Sequence, residues 1–348
     1  MRDNKRNIQP SARLLWLDAV KGAGIILVML SHLPRIPKAG PYLFACFMPL
    51  FFISSGYTSS RSFETKAYIQ KKSKRLLIPY VVYGSFLLLV KMRKTVFRGN
   101  VREAVLDLVG FFYSRYYFYA VDGRKNLYFL TSGNSTHWFL TAFFVGTVLA
   151  IPLLKKTCAT WLAVGYLVLT ILLNELPVLL PWSLDMGGFI AVFIWIGACM
   201  KKHGFGDFTK RTYILFALLG SVLYIGLVSV NPGINMSVRR YGQKGAAGVL
   251  LFLLIGVLGT VTVMSLFRLI EHTKVTDFLA AVGRISLTIM CLHKFFFSIF
   301  EKTFGRLICE GYVNDYLKVA ASILFSYLLA RGYRILEDKY HWTIFQYL

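Results

Sequence analysis

Charge of either sign is scarce in this 348-residue sequence, at 16% of residues, and acidic charge scarcest, with 16 Asp and Glu against 40 Lys and Arg. A water-soluble domain of this length needs many more polar residues to cover its surface, whereas helices that face lipid can be apolar all round. The polar gaps are too short to hold a separate soluble domain, so residues 1–348 read as one integral-membrane domain. Cysteine is sparse: Cys46, Cys158, Cys199, Cys291 and Cys309 are odd in number, and most lie in or beside apolar runs. That pattern argues against a disulfide framework. With C-x-x-C and H-E-x-x-H spacings also missing, no structural or catalytic metal is expected. RNA-binding motifs, zinc-finger spacings and internal repeats are lacking too. The net charge of +24 therefore points to anionic lipid and cytoplasmic loops and not to nucleic acid.

What is present is apolar sequence: 56% hydrophobic, 16% aromatic, with a mean hydropathy of +0.57. A helix needs roughly 20 apolar residues to cross a bilayer, and the chain divides into about ten such windows. They lie near 14–33, 41–58, 76–91, 137–154, 158–175, 185–200, 212–230, 246–267, 283–300 and 313–333. The fold class is thus an all-α, polytopic transmembrane helical bundle. The first window is too long for a removable signal peptide and lacks a small-residue cleavage site, so it reads as a retained anchor. Lys and Arg favour a cell-membrane protein with both termini cytoplasmic, because the outward-facing basic residues concentrate in one long loop between 92 and 136. Inside that loop, Val101 to Gly123 mixes aromatic, apolar and charged residues, as a helix lying at the outer interface would.

The first window, WLDAVKGAGIILVMLSHL, carries an aspartate, a lysine and a histidine where each is costly. Asp18, Lys21, Ile25, Val28 and His32 follow spacings of three and four, so they share one helix face. Asp18 and Lys21 make an i,i+3 pair that could be only a membrane-edge ion pair with a snorkelling lysine. His32, just before Pro34, could likewise be a plain interfacial residue.

The stretch resembles the start of the acyltransferase family 3 membrane proteins, whose first helix carries a Leu-Asp, a basic residue with Gly, an apolar run and a His. Here these are Leu17, Asp18, Lys21, Gly22 and His32. Further stretches match in order: FFISSGY (51–57), KSKRLLIPY (72–80), HWFLTAFF (137–144) and GRISLTIMCLH (283–293). Two departures stand out. Lys21 replaces the arginine of many members, keeping charge but losing the planar two-pronged donor. The Trp-Phe-Leu helix has Thr141 and uncharged neighbours where many members have glutamate.

The resemblance implies an O-acyltransferase that moves an acyl group, an acetyl group above others, from acyl-CoA to a hydroxyl of a cell-surface or exported carbohydrate. Its partners would be acyl-CoA, the carbohydrate and the bilayer, with no nucleic acid and no metal. His32, Asp18 and His293 are the expected catalytic residues, with His32 the base. A neutral imidazole suits that task near physiological pH. Lys21, Lys74 and Arg75 are the expected contacts to CoA phosphates. Lys71, Lys72, Lys74 and Arg75 form one compact basic cluster; ordinary cytoplasmic charge accounts for most of these lysines, while Arg75 abuts the next helix. His293 is expected to bond His32 or Asp18, or else to cap a packed helix interior. Ser54 and Ser55 read as small packing residues beside Gly56, and His203, His272 and His341 receive no role. Intramembrane Asp, Lys and His would serve a proton-coupled transporter or flippase equally well, and that is the rival reading.

Overall fold

Apolar windows fold as helices, and prolines, glycines and polar joints decide where each stops. The computed structural model describes residues 13–35, 40–60, 62–120, 136–155, 159–243, 245–305, 311–340 and 347–348. Its helices are α1 (Leu15–Leu30), α2 (Gly40–Phe44), α3 (Phe47–Tyr57), α4 (Thr65–Phe97), α5 (Val101–Tyr113), α6 (Trp138–Lys155) and α7 (Ala159–Asn174). They continue with α8 (Leu184–Lys202), α9 (Lys210–Val230), α10 (Gly245–Leu269), α11 (Lys274–Arg284), α12 (Ser286–Phe304) and α13 (Tyr312–Tyr340). Among the described residues the strands are one short antiparallel pair, β1 (Ile234–Asn235) and β2 (Arg240–Tyr241), with Ile234 opposite Tyr241.

The expected count of about ten spans is not confirmed. Among the described residues, six helices are long and apolar enough to cross a membrane: α4, α6, α8 with its lead-in from Pro181, α9, α10 and α13. A seventh is gained if α11 and α12, bent by 77° at their junction, count as one. The shortfall comes from α1 and α7, of 16 residues each, and α3, of 11. At about 1.5 Å per residue α3 advances only about 16 Å against a hydrocarbon core of about 30 Å. The 41–58 window is divided because the chain turns at Ala45 and Cys46 between α2 and α3.

Of these, α1 and α3 sit within the bundle, where protein replaces lipid around them, while α7 lies at its edge. α8 lies at its centre, buried without interruption from Asp185 to Ile194, as a helix apolar all round must be. Phe52, Phe139, Phe189, Phe193 and Phe252 fill the space between α3, α6, α8 and α10 with stacked, tilted and edge-on rings. Peripheral helices expose large apolar side chains, such as Trp161, Leu218 and Val222, on the lipid-facing outside. α3 and α8 approach through a reciprocal pair: a Cβ at Gly56 would run into the Ile194 carbonyl, and one at Gly197 into that of Ile53. Small residues bring membrane helices into backbone contact in this way.

In the long loop, the expected interfacial helix is α5, and it ends at Tyr113 rather than near Gly123. The Asn100 side chain caps it by accepting from the Glu103 N–H at 3.2 Å. Ser114, in the left-handed region at φ 56°, ends it. Val101 and Phe112 stay exposed, while Ala104, Asp107 and Phe111 face the bundle, with Lys91 of α4 paired to Asp107 at 2.6 Å. Residues 121–123 lie outside the described residues.

Candidate active site

α1 carries its polar residues to the site by packing on α11. A Cβ at Gly22 would run into the Leu279 carbonyl, and one at Gly283 into that of Asp18, so these glycines are what permits the contact. From there α1 continues with Ile25 and Val28 buried; of the stripe read from spacing, Asp18, Ile25 and Val28 face the interior, while Lys21 is half-buried. The helix ends at Leu30, and His32 stands in the turn beyond, its N–H bonded to the Met29 carbonyl at 3.1 Å.

There it meets the end of the late motif. The rings of His32 and His293 stack with centroids 5.2 Å apart and planes inclined by 22°. His293, on α12, is 0% exposed, and its Nδ1 lies 2.9 Å from the Ile289 carbonyl oxygen and 3.1 Å from that of Met290. Two carbonyl partners require Nδ1 to carry the proton, which leaves Nε2 as the basic nitrogen of the neutral ring. That Nε2 is buried and has no hydrogen-bond partner among the described residues. His32 is exposed. Asp18 is not beside the histidines; it lies at the other end of α1, bonded to Arg13 at 2.5 Å and Lys21 at 3.3 Å.

Around Lys21 is a second constellation. A cavity of about 100 Å³ is lined by Lys21, Lys72, Arg75, Ser55, Ser286 and Met290, among others. Lys72 Nζ donates to Ser55 Oγ at 3.0 Å, and Lys72 also lies over the Tyr68 ring, 5.5 Å from its centroid. Three cations converge with Asp18 bonded to one of them, and such an excess of positive charge attracts an anion. Of the three expected donor contacts, Lys21 and Arg75 line this cavity; Lys74 does not and is exposed on α4. Lys72 lines the cavity instead, because two positions along a helix turn a side chain roughly 200° around the axis.

At the opposite end, His32 lines two cavities, of about 460 and 1060 Å³. They share His32, Trp138, Asn235 and Ser237. The smaller also includes Met290, so one side chain borders both the cation-lined cavity and a cavity at His32. The larger adds Tyr116, Tyr117, Phe297, Arg98 and Lys294, a mixture of aromatic faces and polar groups suited to a hydroxylated molecule.

The loop bearing Asn235 and Ser237 is held by a buried ion cluster. Arg115 and Arg239 both bond Asp185, Arg239 at 2.8 Å, and all three side chains are 0% exposed. Arg115 also donates to the Leu180 and Ser237 carbonyls, and Arg239 to those of Val178 and Leu176. The carbonyls satisfy guanidinium N–H groups that one carboxylate cannot. Burial pulls the Arg115 guanidinium below its ordinary value, and Asp185 works in the opposite direction. Sequence reasoning missed this cluster, for no spacing connects positions 115, 185 and 239. The one available signal was an aspartate at the edge of an otherwise uncharged window. Thr141, where many members carry glutamate, instead shares a hydrogen bond of 2.7 Å with Ser114, next to Arg115.

Among the described residues no three His, Cys, Asp or Glu side chains group to hold a metal ion. A helical bundle with several spans, a cation-lined cavity toward one end of α1 and an imidazole pair toward the other defines a multi-pass membrane protein. The chain belongs to acyltransferase family 3, matching it as an acyltransferase domain over residues 14–331. No curated protein and no solved structure matches.

Proposed function

We propose that the protein is a cell-membrane O-acyltransferase that moves an acyl group, here taken as acetyl, from acyl-CoA to a hydroxyl of a cell-surface or exported carbohydrate. Both termini are cytoplasmic in this reading, so the Lys21, Lys72 and Arg75 cavity opens to the compartment where acyl-CoA is made. The observation that carries the proposal is Met290, at the wall of both that cavity and the one beneath His32. A slender thioester arm entering between the cations reaches the histidines by passing one side chain.

The cations bind the phosphates of the donor, Lys74 adds positive potential from the exposed face of α4, and Asp18 positions Lys21. His32 accepts the proton of the acceptor hydroxyl as its oxygen bonds to the thioester carbonyl carbon. The C–S bond then breaks and the departing CoA sulfur takes up a proton. His293, with Nδ1 committed to backbone carbonyls, stacks on His32 and fixes its ring plane. Membership of an acyltransferase family favours this chemistry over transport without a covalent step.

Purified protein in lipid nanodiscs, given radiolabelled acetyl-CoA and glycan extracted from host cells, should release CoA thiol and leave label on carbohydrate as a base-labile ester. Donor binding with no thiol release for any glycan fraction would overturn the reading.

A further inference from the structure

The larger of the two cavities at His32 has an apolar neighbour. Phe295 of α12 lines it and also lines an apolar groove of about 480 Å³ on the membrane side of the bundle. Tyr83 and Phe86 of α4, Leu292 and Phe296 of α12, and Phe325 and Leu329 of α13 form the groove walls. Phe86 meets Phe295 edge-on at 5.3 Å, and Phe296 stacks on Phe325 at 5.5 Å. Phe86 and Phe325 are 45% and 41% exposed, so the groove opens outward, where a bilayer surrounds the bundle. The succession along α4 is continuous: Tyr83 and Phe86 belong to the groove, and Leu87, Val90 and Lys91 to the cavity that holds His32.

An oily groove that shares a wall with a polar cavity fits a molecule with both parts. Resting on the transferase reading above, we propose that the acceptor is a lipid-linked glycan: its hydrocarbon tail lies between α4, α12 and α13, and its polar head passes Phe295 into the outer cavity. Lipid tails are as apolar as the groove, so the tail adds little affinity over the surrounding bilayer. Its contribution is orientation. A tail held in the groove fixes the depth and direction from which the head meets His32, and misplacement by about 1 Å in such an arrangement can cost roughly 100-fold in rate.

The test uses the full protein in nanodiscs with radiolabelled acetyl-CoA and host material split into a chloroform–methanol extract and the remaining aqueous glycan. Base-labile label should enter the organic extract. Leu292→Trp and Leu329→Trp, which fill the groove, should cut that transfer by roughly 10- to 100-fold with acetyl-CoA affinity unchanged. Phe325→Ala, which empties the groove without adding bulk, should lower it too, and it decides the question if either tryptophan variant fails to fold. Label confined to aqueous glycan, or folded groove variants that transfer like wild type, would overturn the proposal and leave the transferase reading standing. Absence of label from both fractions with the wild-type protein would overturn the two together.

Discussion

Lys72 on α4 donates a hydrogen bond to Ser55 on α3 at 3.0 Å, which holds its ammonium at the wall of the cavity that also contains Lys21 and Arg75. A hydrogen bond to a charged group is worth roughly 1.5 to 3 kcal/mol. Lys21→Ala, Lys72→Ala and Arg75→Ala should therefore each weaken acyl-CoA binding by about 10- to 150-fold. Lys74→Ala should have a much smaller effect, and Lys21→Arg should retain most function. Titration calorimetry on the purified variants checks the ranking; equal losses at 72 and 74 would return the cluster to ordinary cytoplasmic charge.

His32→Ala should leave donor binding intact and lower acyl transfer by about 10²- to 10⁴-fold, the usual cost of a missing general base. Measuring both quantities on the same preparation separates an enzyme from a transporter. Near-normal transfer in His32→Ala with loss in His293→Ala would exchange the two roles. Normal transfer in both variants would remove acid-base chemistry from this pair.

Gly22→Ala and Gly283→Ala place a methyl group against a facing backbone carbonyl. Forced overpacking typically costs about 1 to 3 kcal/mol. Both variants should unfold at lower temperature in detergent and lose transfer activity. A variant that keeps wild-type thermal stability would show that α1 and α11 stand further apart than described here.

Several of these relationships were legible in the sequence and several were not, for physical reasons. His32 and His293 could be found because each closes a stretch that resembles the family's motifs, for a lone histidine in an apolar run reads equally as an interfacial or packed residue. Their stacking could not, since periodicity within α1 and α12 says nothing about contact between them. The basic run from Lys71 to Arg75 reads as one cluster, but winding it into α4 sends Lys72 toward Ser55 and Lys74 outward. Windows of suitable hydropathy predicted about ten spans, yet α3 stops at 11 residues because its window is broken by a turn. The joining of Arg115, Asp185 and Arg239 depends on how two loop residues meet the first turn of α8, which no local pattern encodes.

That cluster gives a stability prediction. Removing one member of a buried ion pair strands its partner and typically costs about 3 to 5 kcal/mol. Asp185→Ala strands two guanidinium groups and should be the most damaging; Arg115→Ala and Arg239→Ala should follow. Thermal unfolding of purified protein checks the order, and an Asp185→Ala protein as stable as wild type would show that the carboxylate is dispensable.

Reporter fusions check the orientation. A fusion after Lys202, at the end of α8, should report cytoplasm, and one at Asn174, at the end of α7, should report the outside. The reverse pattern would place the cation-lined cavity on the wrong side for acyl-CoA.

The two motifs that meet in the site are equal in length: Gly22 stands as far before His32 in the chain as Gly283 does before His293. The glycines fix one end of the contact and the stacked rings the other, with α1 running between them on one side and the bend from α11 into α12 on the other. A residue inserted into one of the two motifs turns everything beyond it by about 100° and shifts it by about 1.5 Å. A length change in α1 therefore breaks the alignment of the rings even when every functional side chain is retained, and a matching change in the 283–293 segment is the place to look for its repair.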